Sequence, residues 1–163
     1  MAGSENEIVM EMTLFHLKIK PMNNDLLYIK QFNLRPGDTI VAPKSGINMV
    51  QHFVIYLGND AYGKHWICEN VFGKGVIMTQ VQDFFSSYQK ITRIEKFLGT
   101  NLQRKELVQR SLSRLGKPYD LINYNCEHFV NDVRNRSPKS NQVNNVIGIS
   151  FGLLLLGLMV ASD

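Results

Sequence analysis

The chain is 163 residues long, 44% apolar and 20% charged, with a formal net charge of +4 at neutral pH. That length supports one domain with a real core, and the composition excludes a disordered polar chain. Two cysteines, Cys68 and Cys126, are too few for a disulfide framework and point to free thiols in a reducing compartment.

Residues 1–12 carry three glutamates, no basic run and no continuous apolar stretch, so nothing there reads as a signal peptide. Residues 13–19 read as a strand, with His16 inside it as a structural residue. Residues 21–25 are a turn cluster, and 26–32 form a short helix or strand that pattern alone does not type. From residue 34 the signals sharpen. Pro36-Gly37 turns the chain into a short strand at 39–42, and residues 50–57 form a second strand, apolar on both faces and hence central. The Gly58-Asn59-Asp60 turn leads to a third strand at 64–71, and Phe72-Gly73-Lys74-Gly75 to a fourth at 76–79. Residues 81–87 make a single helical turn and 91–98 a fifth strand. Five short strands joined by hairpin-type turns predict an antiparallel sheet.

The period then becomes helical. Thr100 and Gln103 form a capping box, Leu107, Val108, Leu112 and Leu115 mark an apolar face, and Gly116 with Pro118 ends the helix. A connector at 119–124 leads to a second helix at 126–135, whose apolar face runs Cys126, Phe129, Val130, Val133. Strands first and helices after predict an α+β fold, an antiparallel sheet packed against helices. Between residues 101 and 139 stand eight basic and four acidic residues, so the whole +4 excess lies there. With no basic stripe of interleaved aromatics it argues against a nucleic-acid partner. It suits a face lying against anionic lipid headgroups, a solvated helix face being the alternative.

Residues 137–145 are polar and read as a linker. The sixteen residues 146–161 carry no charge. At 1.5 Å per residue they reach about 24 Å, short of the ~30 Å hydrocarbon core but enough for a thin or locally thinned bilayer. Gly148, Gly152 and Gly157 suit a membrane helix better than an aqueous one. The expectation is a hydrophobic tail, 146–163, that associates the chain with a membrane. Arg134, Arg136 and Lys139 then hold the globular part on the cytoplasmic side. A buried core helix is the alternative.

Cys126 stands where a loop becomes a helix, and unpaired N–H groups and the positive dipole end both favour thiolate there. It is a candidate nucleophile, or else a small core residue on an apolar face. A cysteine nucleophile needs a base, and imidazole suits. His52 opens the most apolar strand, where packing alone would choose valine or isoleucine. His65 begins the neighbouring strand. His128, two residues after the thiol but on another helix face, fits a structural hydrogen bond. His65-x-x-Cys68 with Cys126-x-His128 also supplies four zinc-type ligands, although the second gap is tighter than the usual pattern.

His-Phe-Val-Ile-Tyr-Leu-Gly at 52–58, a second histidine at His65, and Asn-Cys-Glu-His-Phe-Val at 125–130 resemble the lecithin–retinol acyltransferase family. That family includes the H-rev-type phospholipase/acyltransferases and is similar to a circularly permuted papain-like, NlpC-type fold. The likeness covers residues 34–136 and the hydrophobic tail, leaving 1–33 as an N-terminal extension without a counterpart. It implies Cys126 as nucleophile, His52 as base and His65 as the histidine that orients the base, with no cofactor or metal. It further implies a glycerophospholipid substrate whose acyl ester is opened through a thioester. Two departures stand out. His52 and His65 are thirteen residues apart, one more than the family pattern, and Tyr124 replaces an acidic or small polar residue. The competing readings are an NlpC-type cysteine amidase or peptidase and a non-catalytic membrane-anchored module. The oligomeric state is not legible.

Overall fold

The computed structural model describes residues 24–44 and 50–145. In order they form α1 (Asn24–Gln31), β1 (Thr39–Pro43), β2 (Gln51–Asn59), β3 (His65–Val71), β4 (Gly75–Gln80), α2 (Val81–Ser87), β5 (Arg93–Glu95), α3 (Asn101–Leu112) and α4 (Cys126–Asn135). The sheet order is β4-β3-β2-β1-β5, and every neighbouring pair is antiparallel. This is the α+β arrangement that the alternation of turns and short strands predicts.

β2 is central because it is apolar on both sides. Its odd residues Phe53 and Ile55 enter a core with Cys68, Leu107 and the α4 residues Phe129, Val130 and Val133. Its even residues Val54 and Tyr56 enter a second core with Ile67 and, from α2, Phe84 and Phe85. Strand side chains alternate with a period of two, so one strand feeds both cores. Helices therefore cover both faces, with α3 and α4 on one and α1 and α2 on the other.

The stretch that pattern could not type is helical: α1 lays Tyr28 over Phe85, ring centroids 4.1 Å apart. β5 has three residues where eight were expected, because it pairs only with Thr39, Ile40 and Val41 of β1. Beyond it the chain turns in to bury Phe97 against the α4 core. The turn is held by Asp38, which accepts hydrogen bonds from the Phe97 N–H, the Arg35 N–H, Arg104 and Lys96. Burial alone would raise the Asp38 pKa, but those donors together hold it below the usual carboxylate range. α3 begins with the expected capping box on Thr100, yet ends at Leu112. Residues 113–116 turn instead, and the Gly116 N–H donates to the Val76 carbonyl, which pulls the chain toward β4.

The stretch read as a linker is part of the fold at its centre. Ser140 is buried and donates to Glu127 of α4, and residues 141–145 make a helical turn. Among the described residues no helix is long and apolar enough to cross a membrane. The strand expected at 13–19 and the tail at 146–163 lie outside the described residues.

Candidate active site

Asn125 sets the start of α4. Its Oδ1 accepts from the backbone N–H groups of Glu127 (3.0 Å) and His128 (3.1 Å), and its own N–H donates to His128 Nδ1 (3.3 Å). This is a capping box with imidazole in the place of the usual Glu or Gln side chain. It leaves the Cys126 N–H uncapped and puts the thiol in the first helical position. His128 thus has the structural role expected of it.

Cys126 is 3% exposed and packs in the α4-side core. Its Sγ lies 3.7 Å from the Gln51 carbonyl oxygen and interacts with the Phe53 N–H. These two backbone groups share one edge of β2, the edge that faces β3. The β2–β3 ladder begins only at Val54 opposite Glu69, so the sulfur sits on strand edge that β3 has left unpaired. The side chain of Gln142 completes the pairing. Its Oε1 accepts from the Gln51 N–H at 2.7 Å, and its Nε2 donates to the Gln51 carbonyl at 3.2 Å.

His52 is 2% exposed and points into the other core, its ring stacked on Tyr88 with centroids 5.4 Å apart. Nε2 donates to Glu69 Oε2 at 2.6 Å, and the Thr79 hydroxyl donates to Glu69 Oε1 at 2.5 Å. Nδ1 is buried with no nitrogen or oxygen partner, and with Nε2 taken by Glu69 it is the ring nitrogen that remains for the Cys126 sulfur. Burial alone would lower the His52 pKa, but interactions with Cys126 and Glu69 raise it to about 9. Burial alone would raise the Cys126 thiol. The hydrogen bond and charge of His52, the Phe53 N–H and Lys44 bring it below its ordinary value instead. Glu69 is likewise lowered, burial being outweighed by His52 and Thr79. The three groups titrate together, and the state they favour is thiolate, imidazolium, carboxylate. Cys68 shows the contrast: burial without such partners pushes its thiol up to about 12.

His65, expected beside His52, stands elsewhere. It pairs with Asn59 near the hairpin turn, and its Nδ1 lies 2.6 Å from the Tyr56 hydroxyl. The side chain that meets His52 is Glu69. The reason is register. In an antiparallel hairpin the first residues of β3 face the last residues of β2, so a partner for His52 must come from late in β3. Glu69 lies opposite Val54, on the same face as His52 and one diagonal step away. A carboxylate inside Ile-Cys-Glu-Asn-Val, read with the hairpin count, was the available signal. Tyr124 is turned toward α4, donating to Asp132 Oδ2 at 2.7 Å. Both cysteines are free. Among the described residues no cluster of three His, Cys, Asp or Glu side chains is arranged to hold a metal ion.

Residues 32–138 match the family model described as lecithin retinol acyltransferase. The chain is 31% identical over 129 residues to phospholipase A and acyltransferase 5 of Rattus norvegicus, covering 69% of this chain and 43% of the relative. The Mus musculus protein of the same name is also 31% identical over 129 residues, covering 69% and 46%. Phospholipase A and acyltransferase 2 of Homo sapiens is 37% identical over 71 residues, covering 38% and 44%. The chain thus spans less than half the length of these curated relatives. With a family match over well more than half of its residues, it belongs to the lecithin retinol acyltransferase family.

Proposed function

We propose that the chain is a cysteine-dependent acyltransferase or phospholipase acting on the acyl esters of glycerophospholipids. The observation that carries this is the line Cys126–His52–Glu69, a thiol in the first helical position of α4 with its imidazole oriented by a buried carboxylate. The names of the relatives support the same chemistry and substrate class.

In the first half-reaction the Cys126 thiolate attacks the ester carbonyl, and a C–S bond forms. The resulting oxyanion faces the uncapped Cys126 N–H and the positive end of α4. On collapse the ester C–O bond breaks, and the lysophospholipid alkoxide takes the proton carried by the His52 imidazolium. The enzyme is left as a thioester. In the second half-reaction water, an alcohol, an amine or a lysolipid attacks that thioester. His52 takes the incoming proton, and the thiolate departs to restore the ion pair. Glu69 holds the ring in one orientation and supports its positive charge throughout. The uncharged stretch 146–161 serves in this reading as a membrane tether, with the globular part on the cytoplasmic side.

The test is to incubate the full chain with phosphatidylcholine and follow intact mass. An acyl adduct that vanishes in Cys126→Ala is expected. Folded protein that gives neither adduct nor lyso-product overturns the enzymatic reading. Removal of 146–163 should release the chain from membranes, and retention there contradicts the tether.

A further inference from the structure

The turn that precedes Cys126 shows apolar side chains to solvent without being loose. Leu121 is 65% exposed and Ile122 60%. The backbone that carries them is nevertheless fixed. Asp120 Oδ1 accepts from the N–H groups of Ile122 (2.9 Å) and Asn123 (2.8 Å), and Asp120 and Tyr124 close the turn with paired backbone hydrogen bonds. The Leu121 carbonyl accepts from Asn125 Nδ2 at 3.2 Å, which ties the turn to the residue that caps α4. An apolar pair displayed on a satisfied Asx-turn is a surface held ready rather than a frayed core.

The surroundings extend it. Phe72, exposed at the β3–β4 turn, meets the edge of Tyr119 with ring centroids 5.6 Å apart. Lys44 Nζ lies 5.4 Å above the same Tyr119 ring. Lys44, Lys74 and Lys117 are exposed, and none of them makes a salt bridge among the described residues. Asp120, the carboxylate of this turn, is engaged by the turn itself, whose donors hold its pKa below the usual range, the Asn123 side chain first among them. Both Tyr119 and Lys44 are close enough to feel the charge of Cys126. The thiol itself is 3% exposed and lies beneath this rim.

We propose that Phe72, Tyr119, Leu121 and Ile122, with the three lysines around them, form the face that seats the site on an anionic lipid bilayer. The proposal rests on the lipid-ester reading above and specifies how that substrate is reached. Apolar residues enter the interface, lysines meet the anionic headgroups, and the rim over Cys126 is pressed against the layer that holds the ester. Charge complementarity selects the occupant: an apolar wedge ringed by exposed lysines, two of them lying over aromatic rings and none in a salt bridge among the described residues, fits an anionic membrane surface better than a neutral protein groove.

The test uses the full chain and the variant Leu121→Ser/Ile122→Ser. Rates are compared on vesicles of phosphatidylcholine with phosphatidylserine and on monomeric dibutyryl-phosphatidylcholine. The expected result is at least a tenfold loss on vesicles with no more than a twofold change on the monomer. Leu98→Ser/Leu102→Ser, which removes exposed apolar residues beyond β5 at the opposite edge of the sheet, should leave the ratio unchanged. An equal loss in both variants, or no change in the ratio for the first, overturns the proposal. A second readout does not need catalysis. Ile122→Trp should gain fluorescence quenching by brominated phospholipid that the wild type, with Trp66 alone, lacks. Quenching without turnover of either ester would sink the lipid-ester reading and leave the docking face standing. Turnover without quenching would do the reverse.

Discussion

Glu69→Gln is the sharpest probe of the site, since it keeps the side chain's shape and removes only its charge. An opposite charge this close shifts an imidazole by roughly 1–3 pK units, each worth about 1.4 kcal/mol. Losing it should therefore pull His52 down from its value of about 9 toward neutrality. The loss propagates to the thiol. Without a stable imidazolium, Cys126 moves back up toward ~8.5, the ordinary value for a cysteine. The thiolate–imidazolium population at pH 7 should fall about 10- to 1,000-fold. The assay is the rate of a single iodoacetamide adduct, followed by intact mass from pH 5 to 10 with Cys126→Ala as the blank. Cys68 stays silent because its thiol is fully buried and pushed up to about 12. Wild type should alkylate at pH values below the ordinary range of a cysteine thiol. Glu69→Gln should be at least tenfold slower at pH 7 and converge with wild type near pH 9. A variant within threefold of wild type at pH 7 would refute the role given to Glu69. So would His65→Ala slowing the reaction as much as Glu69→Gln, since His65 is engaged with Tyr56.

Asp38→Ala should cost about 3–5 kcal/mol in urea unfolding, because it leaves Arg104 buried beside β1 without its carboxylate. The folded-state pKa of Asp38 is depressed, so its contribution is full above its unfolded value, about 3.9, and disappears as pH falls through the folded value. Wild type should lose stability on acidification in that window, and Asp38→Asn should flatten the slope. Gly75→Ala should cost about 2 kcal/mol or more, measured the same way, since its φ is +75° and a Cβ would sit 2.5 Å from the Lys117 carbonyl oxygen. Tyr124→Phe should lose about 1 kcal/mol with the hydrogen bond to Asp132, which keeps Arg114 as a partner. It should leave the alkylation rate and the choice of acyl acceptor unchanged, because the hydroxyl is turned toward α4.

What could be read from the chain follows from how local each determinant is. The α4 start, with its cap and its apolar stripe, is written in consecutive residues and was legible. So was the two-faced apolarity that makes β2 central. β5 was overextended because Ile91, Ile94 and Phe97 keep an apolar rhythm, while strand length is set by the three residues of β1 available to pair with it. α1 was ambiguous because its eight residues hold too few turns for a periodicity to declare itself. That Glu69 rather than His65 meets His52 has a topological reason. His65 stands nearer His52 in sequence, but the antiparallel register, with its irregularity between Tyr56 and Gly58, carries it to the far end of the ladder. The 137–145 stretch looked like a linker because its packing depends on polar groups, Ser140 on Glu127 and Gln142 on Gln51, which leave no hydrophobic trace.

The thiol lies in one core and the imidazole in the other, and they meet only around the opening residues of β2. Cys126 is separated from its Gln51 contact by 75 residues of chain. In an unfolded chain this cysteine is an ordinary thiol, only about 3% ionised at pH 7. The lowered thiol of Cys126 thus exists only where both layers have closed on the same strand. Such an arrangement guards against premature chemistry. A nascent or damaged copy with either layer unformed carries only an ordinary thiol, without the imidazole that lowers it.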